Sequence, residues 1–189
     1  EPAIKETKIS HFDITDFEGE EKTDTFLNNA RPHIMIPVYH AEYTAIPVKK
    51  TVTDSVFVYD TVRIAGNDSS QVVKTFKEVV EKEVEDYDIR WNKDFISQFT
   101  EVIRPLIETA AKVGVGSSVV ISGIDKDKAA SLARETGVKV NFFTADEKLL
   151  KTIMRSNPGI ILWKNGVLLH KWHYKNVPAW AEIKKVFLN

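Results

Sequence analysis

The 189-residue chain contains no cysteine. That excludes disulfides, thiol nucleophiles, dithiol–disulfide exchange and zinc–thiolate centres. It leaves the redox compartment open, because a cysteine-free chain suits either one. An excess of charge of one sign is also lacking: 26 basic against 27 acidic residues give a net charge of −1. There is therefore no electrostatic case for nucleic acid or an anionic membrane surface as partner. No run approaches the roughly 18 consecutive apolar residues that read as a membrane span. Glycine is sparse, and Gly114, Gly116, Gly123 and Gly137 do not form a phosphate-binding fingerprint. No internal repeat or low-complexity linker is present. What remains is ordinary: 43% hydrophobic and 28% charged residues, enough for one domain with an elaboration or for two small domains. The chain opens at Glu1 without a methionine. We expect a processed or excised segment, with any signal peptide or membrane anchor upstream of it.

Along the chain, residues 1–8 are polar and read as a frayed end. Ile9 to Asp16 alternates apolar and polar residues, the pattern of a half-buried strand. A turn follows at Phe17 to Glu20, then a short helix over Asp24 to Asn28. His33 to Tyr39 is an apolar run of strand length. Pro37 interrupts it and cannot donate a ladder hydrogen bond, which predicts a bulge or an unpaired side there. Val48 to Val52 and Val56 to Tyr59 are β-prone. Gly66 to Ser70 is a turn cluster. Val72, Val73, Phe76, Val79, Val80 and Val84 recur at helical spacing, which predicts an amphipathic helix over about 71–86.

A second helix carries Phe95, Phe99, Val102, Ile103, Leu106, Ile107 and Ala110 on one face. Pro105 inside it predicts a kink, and Gly114 and Gly116 end it. Ser118 to Ser122 is a short buried strand. Asp125 is placed to cap a helix that ends near Gly137. Val138 to Phe143 reads as a strand, and Asp146 caps a helix through Ile153. Pro158 then precedes a buried strand, a Lys164-Asn165-Gly166 turn and a second strand. Pro178 to Leu188 makes the last helix. Strands alternating with short helices give an α/β fold: a central mixed sheet with helices on its faces, in three layers.

Three features of residues 94–189 resemble the thioredoxin-like superfamily: the helix with internal Pro105, the Asn157-Pro158-Gly159 stretch, and the Lys164-Asn165-Gly166 hairpin. The resemblance implies a single domain over 1–189. A β/α insertion at about 44–92 would separate its first core strands from the kinked helix. It also implies a cis-proline at Pro158. By the family's spacing, counting back from Pro105 places Ser97 and Thr100 where the two redox cysteines would stand. A narrower resemblance joins Ile9 to Asp16, Ala145 to Glu147, Lys151 to Gly159 and Lys171 to His173. These segments are similar to the soluble C-terminal region of bacterial DoxX-family membrane proteins. That resemblance implies a periplasm-facing location in the cell envelope, with the membrane reached through an upstream segment. It implies no activity.

The candidate ligand-binding residues are Ser97, Thr100, Asn157 and Pro158. A hydroxyl needs an adjacent base to act as a nucleophile, and no catalytic-triad or nucleophile-elbow spacing supplies one. Ser97 and Thr100 read as decoration of a helical turn, and no catalytic residue is assigned. Pro158 reads as a tight loop between helix and strand that a peptide could meet. His40, His170 and His173 are weak metal candidates, because strand alternation puts the last two on opposite faces. The acidic run Glu78 to Asp88 lacks the ligand spacing of a calcium loop and reads as a solvated helix face. No cofactor is expected. Asn67-Asp68-Ser69 matches a glycosylation acceptor, which has meaning only in a eukaryotic secretory context. Trp163, Trp172, Trp180 and Tyr174 read as packing for the last helix or as an interface. Asp54 to Ile64 reads as an arm that adds a strand to a partner or to a second copy.

Two functions follow from these readings. The first is a non-catalytic module that binds or scaffolds a protein or peptide. The alternative is a glutathione-type enzyme without cysteine, using Ser97 or Thr100 and the Pro158 loop.

Overall fold

The computed structural model describes residues 13–63 and 70–188. The readings that fall on residues 1–12 and on 64–69, including the Gly66 turn and the Asn67 acceptor, lie outside the described residues. The chain divides into two units, 45–90 and the remainder.

The larger unit is mixed α/β. Its six-stranded sheet runs in the order β1 (Ile14–Thr15), β6 (Asn141–Ala145), β5 (Gly116–Ile121), β2 (His33–Val38), β7 (Gly159–Lys164), β8 (Val167–His173). β2, β5 and β6 are parallel; β1, β7 and β8 run antiparallel to their neighbours. β2 sits at the centre, and Ile34 to Val38 are all buried, as expected of a strand covered on both faces. Pro37 is accommodated as its chemistry requires. Pairing with β5 continues through Val38, whereas pairing with β7 stops at Met35.

On one face Met35, Val120, Ile161 and Trp163 pack with Ile14, with Phe26 of α1 (Thr23–Leu27) and with Leu150 of α5 (Glu147–Ile153). The other helices are α2 (Lys93–Gln98), α3 (Arg104–Lys112), α4 (Lys126–Thr136) and α6 (Trp180–Phe187). α3 contacts β5 and α6, and α2 contacts α4. Phe95, Phe99, Ile103, Ile107 and Leu132 are buried on these elements. A fully buried residue of this size contributes roughly 1.5–3 kcal/mol.

The local signals act as read. Asp125 accepts from the Lys128 N–H at 2.9 Å and Asp146 from the Leu149 N–H at 3.0 Å, each capping its helix. Gly137 ends α4 in the left-handed region, with φ 68°. Asn165 and Gly166 both have positive φ, 51° and 73°, the turn that closes a two-residue hairpin.

The helix predicted at 71–86 is corrected. Residues Ser70–Trp91 form a strand, β4, which pairs with β3 (Tyr43–Arg63) in a separate two-stranded sheet. The valines fit both periods: as a strand they spread over both faces, 72, 76, 80 and 84 on one and 73 and 79 on the other. Their β-branching weakens a helix, and pairing with β3 decides the outcome. The predicted β-prone arm is a strand, and the acidic run lies exposed on β4 rather than on a helix. Lys49–Glu83 and Lys50–Asp86 ion pairs cross the two strands.

His33 supplies a pH test. Its ring nitrogen lies 2.8 Å from Ser118 Oγ, edge-on to Phe26. Burial holds its pKa below the usual 6.5. The unfolded chain therefore takes up the proton first as pH falls, so the stability contributed is full above 6.5 and is lost below it. We expect urea midpoints to fall as pH drops below 6.5, with a shallower fall in His33→Gln. Identical pH dependence in the two proteins would contradict this.

Candidate functional site

The chain before β7 is fastened to the end of β2. The Asn157–Pro158 peptide is cis, as the resemblance implies. The Asn157 side chain holds the backbone of His40 from both sides. Its Nδ2 donates to the His40 carbonyl at 2.7 Å, and its Oδ1 accepts from the His40 N–H at 3.3 Å. An amide side chain thus replaces the strand partner that His40 lacks. Ser156 is buried, donates to the Pro158 carbonyl and accepts from the Tyr174 N–H. Pro158 itself is buried. Gly159 allows no side chain: a Cβ there would meet Met154 Cγ at 2.2 Å, Pro37 Cγ at 3.2 Å and the Ser156 carbonyl at 3.2 Å.

Pro105 acts on the helix before it. Phe99–Ile103 form a π-helical turn between α2 and α3, and the Arg104 N–H bonds to the Phe99 carbonyl. A proline lacks the N–H and crowds the preceding turn, so the ladder widens there. Ser97 Oγ donates to the Asp94 carbonyl at 2.9 Å. Thr100 Oγ1 donates to the carbonyls of Ile96 and Ser97 at 3.2 and 3.3 Å. Both hydroxyls are thus spent on their own helix, whose N-cap is Asn92. Gln98 Oε1, between them, is buried without a hydrogen-bond partner. The π turn contacts the 3₁₀ turn Tyr174–Asn176, and Tyr174 in turn bonds to Ser156. Among the described residues no hydrogen bond joins Ser97 or Thr100 to Asn157 or Pro158.

The three histidines lie apart in role. His40 is clamped through its backbone. His170 packs at a tilt against Trp172 and Phe187, with ring centroids 4.6 and 5.2 Å away. His173 stacks on Tyr174 and accepts from the Lys175 N–H. Among the described residues no three His, Asp or Glu side chains are placed to hold a metal ion. Trp172 and Phe187 are also in contact, so this aromatic group packs α6 onto β8.

One feature escapes the motif reading. Tyr39, Lys151, Thr152 and Arg155 line an open cleft of about 500 Å³ next to the Asn157 clamp. The Tyr39 hydroxyl donates to the Arg155 carbonyl, and the Lys151 ammonium lies 5.2 Å from the Tyr39 ring centroid. The Glu147 carboxylate, 2.8 Å away, holds Lys151 protonated above its usual range. These residues come from the end of β2 and from α5 and the segment after it, so no single sequence window contains them. Among the described residues no helix is long and apolar enough to cross a membrane.

We expect Gly159→Ala to cost about 1–3 kcal/mol, as overpacking does. Asn157→Ala should cost about 1–2 kcal/mol, because it leaves two backbone groups of His40 without their partner. Denaturant unfolding measures both; a Gly159→Ala variant as stable as the parent would contradict the contact. No family model, no curated protein and no solved structure matches this chain.

Proposed function

We propose that the chain is a non-catalytic binding or scaffolding module built on a thioredoxin-like scaffold. We place it in the cell envelope, facing the periplasm, as the soluble region of a DoxX-like membrane protein. The sheet order β6-β5-β2-β7-β8, the proline-distorted helix after β2 and the proline before β7 support the scaffold. The observation that carries the functional half is the state of Ser97 and Thr100. Where the superfamily keeps reactive sulfur, this chain keeps two hydroxyls whose protons already point at main-chain carbonyls. A nucleophile needs a base aimed at it, and neither hydroxyl has one.

The recognition surface is the Asn157 loop with the adjoining cleft of Tyr39, Lys151 and Arg155. The clamp fixes the loop before any partner arrives, which lowers the ordering cost of binding. The cleft offers Arg155, a Lys151 already paired with Glu147, and an aromatic face, which suit an extended peptide carrying carboxylates. The glutathione-type enzyme is the competing proposal. It requires a hydroxyl proton free to meet a ligand thiolate.

Two measurements separate the proposals. On a peptide array the purified chain should bind extended acidic peptides. Binding should be lost in Lys151→Ala with Arg155→Ala and kept in Ser97→Ala with Thr100→Ala. Millimolar glutathione should leave the melting temperature unchanged, since only a ligand of the native state raises it. A saturable rise, abolished by Thr100→Ala, would overturn the binding-module reading in favour of the enzyme.

A further inference from the structure

Strands β3 and β4 form a two-stranded sheet, so each is an edge. Such a ribbon is marginal alone, because three or more strands or a covering element are needed for independent stability. Among the described residues of this ribbon ten large apolar side chains are exposed, including Tyr59, Val72, Phe76, Val79 and Tyr87 at 62, 62, 54, 56 and 57%. By alternation they lie on both faces. An edge of this length and composition is a template for another strand.

The order of charges along β4 names the strand. It reads Lys74, Lys77, Glu78, then Val79 and Val80, then Glu81, Lys82, Glu83, Glu85, Asp86. We infer that two copies of this chain pair through β4, antiparallel, about a two-fold axis at Val80. In that register Lys74 faces Asp86 of the second copy, Lys77 faces Glu83 and Glu78 faces Lys82. The axis repeats each pair. Val80 meets its own copy, Phe76 meets Val84 and Val73 meets Tyr87. No like charges stand opposite each other.

The neighbouring registers either oppose like charges or retain fewer complementary pairs. An axis normal to the sheet sets residues of equal parity opposite one another, so it moves in whole-residue steps. An axis at Glu78 opposes Glu78 to itself and Lys74 to Lys82. One at Glu81 sets Lys77 against Glu85 and Lys74 against Asp88 but opposes Glu81 to itself. One at Lys82 opposes Lys82 to itself, Glu78 to Asp86 and Glu81 to Glu83. One at Val79 retains only Lys77 against Glu81. Strand β3 does worse: no register of it on itself gives more than one complementary pair. Opposite charges directly across strands stabilise, and like charges destabilise. Pairing at Val80 makes a four-stranded sheet, β3-β4-β4-β3, and moves β4 from edge to centre. It is an isologous contact, closed by its own symmetry.

Sedimentation equilibrium of the full chain tests this. We expect the mass to rise with concentration toward twice the 21.5 kDa of one chain. Lys74→Glu with Lys77→Glu sets acid against acid and should weaken association at least tenfold. Glu83→Lys with Asp86→Lys sets base against base and should do the same. Mixing the two variants pairs every reversed charge with its opposite and should restore the dimer. That restoration shows the variants to be folded and the contact to be this one. A parent that stays monomeric, a dimer indifferent to the reversals, or a mixture that fails to reassociate would each overturn the inference.

Discussion

Strand β2 has no solvent face: all of Ile34 to Val38 is buried, and β5 and β7 flank it. The rest of the larger unit is arranged around that constraint. A strand covered on both faces needs cover above and below; α1 and α5 pack on one face through Phe26 and Leu150, and α3 contacts β5 and α6 while α2 contacts α4. Pro37 within it cannot donate, so pairing with β7 ends before it is reached. Gly159 lets β7 lie close to Met154 and the Pro37 ring, where a Cβ would stand 2.2 Å from Met154 Cγ and 3.2 Å from Pro37 Cγ. His40, two residues past the end of β2, is held by the Asn157 amide in place of a strand partner. The candidate site is thus a consequence of how the central strand ends. Its loop is held because His40 must be satisfied, and its cleft opens where Tyr39 leaves the sheet.

The smaller unit follows an opposite logic. The larger unit buries its apolar residues by layering. Among its described residues the ribbon of β3 and β4 leaves ten of them in solvent. Beyond the β3–β4 ladder itself, its side-chain stabilisation includes edge-on aromatic contact between Phe57 and Phe76, a Lys74 ammonium over Phe57, and exposed ion pairs. Exposed pairs contribute about 0–1 kcal/mol each. Ordering a residue's backbone costs roughly 1–2 kcal/mol. These side-chain contacts are small beside the ordering of two strands of 21 and 22 residues, and a two-stranded ladder alone is marginal. The β4–β4 pairing supplies a third and fourth strand where this deficit lies.

Much of the larger unit was legible in the sequence because its signals are local. Asp125, Asp146 and Gly137 mark helix ends through their own backbone groups. Asn165-Gly166 specifies a turn by the φ values those residues tolerate. Pro105 distorts the helix turn that precedes it. The misread segment, 71–86, is one where local signals conflict. Valines at helical spacing are also valines on both faces of a strand, and only the long-range partner β3 separates the two readings. Asn157 and Pro158 were recognised by resemblance, but the use of the Asn157 amide was not, since His40 lies 117 residues away. The cleft of Tyr39, Lys151 and Arg155 was hidden for the same reason.

The central claim is that one unit is stabilised within itself and the other through a second copy. Hydrogen exchange of the intact chain at low and high concentration reads this residue by residue. Amides of β2, β5 and β7 should be equally slow at both concentrations. Alternate amides between Lys74 and Asp86 should slow markedly at high concentration, while those facing outward from β3 stay fast. Exchange of β4 that is independent of concentration, or protection gained on β3 instead, would contradict the claim.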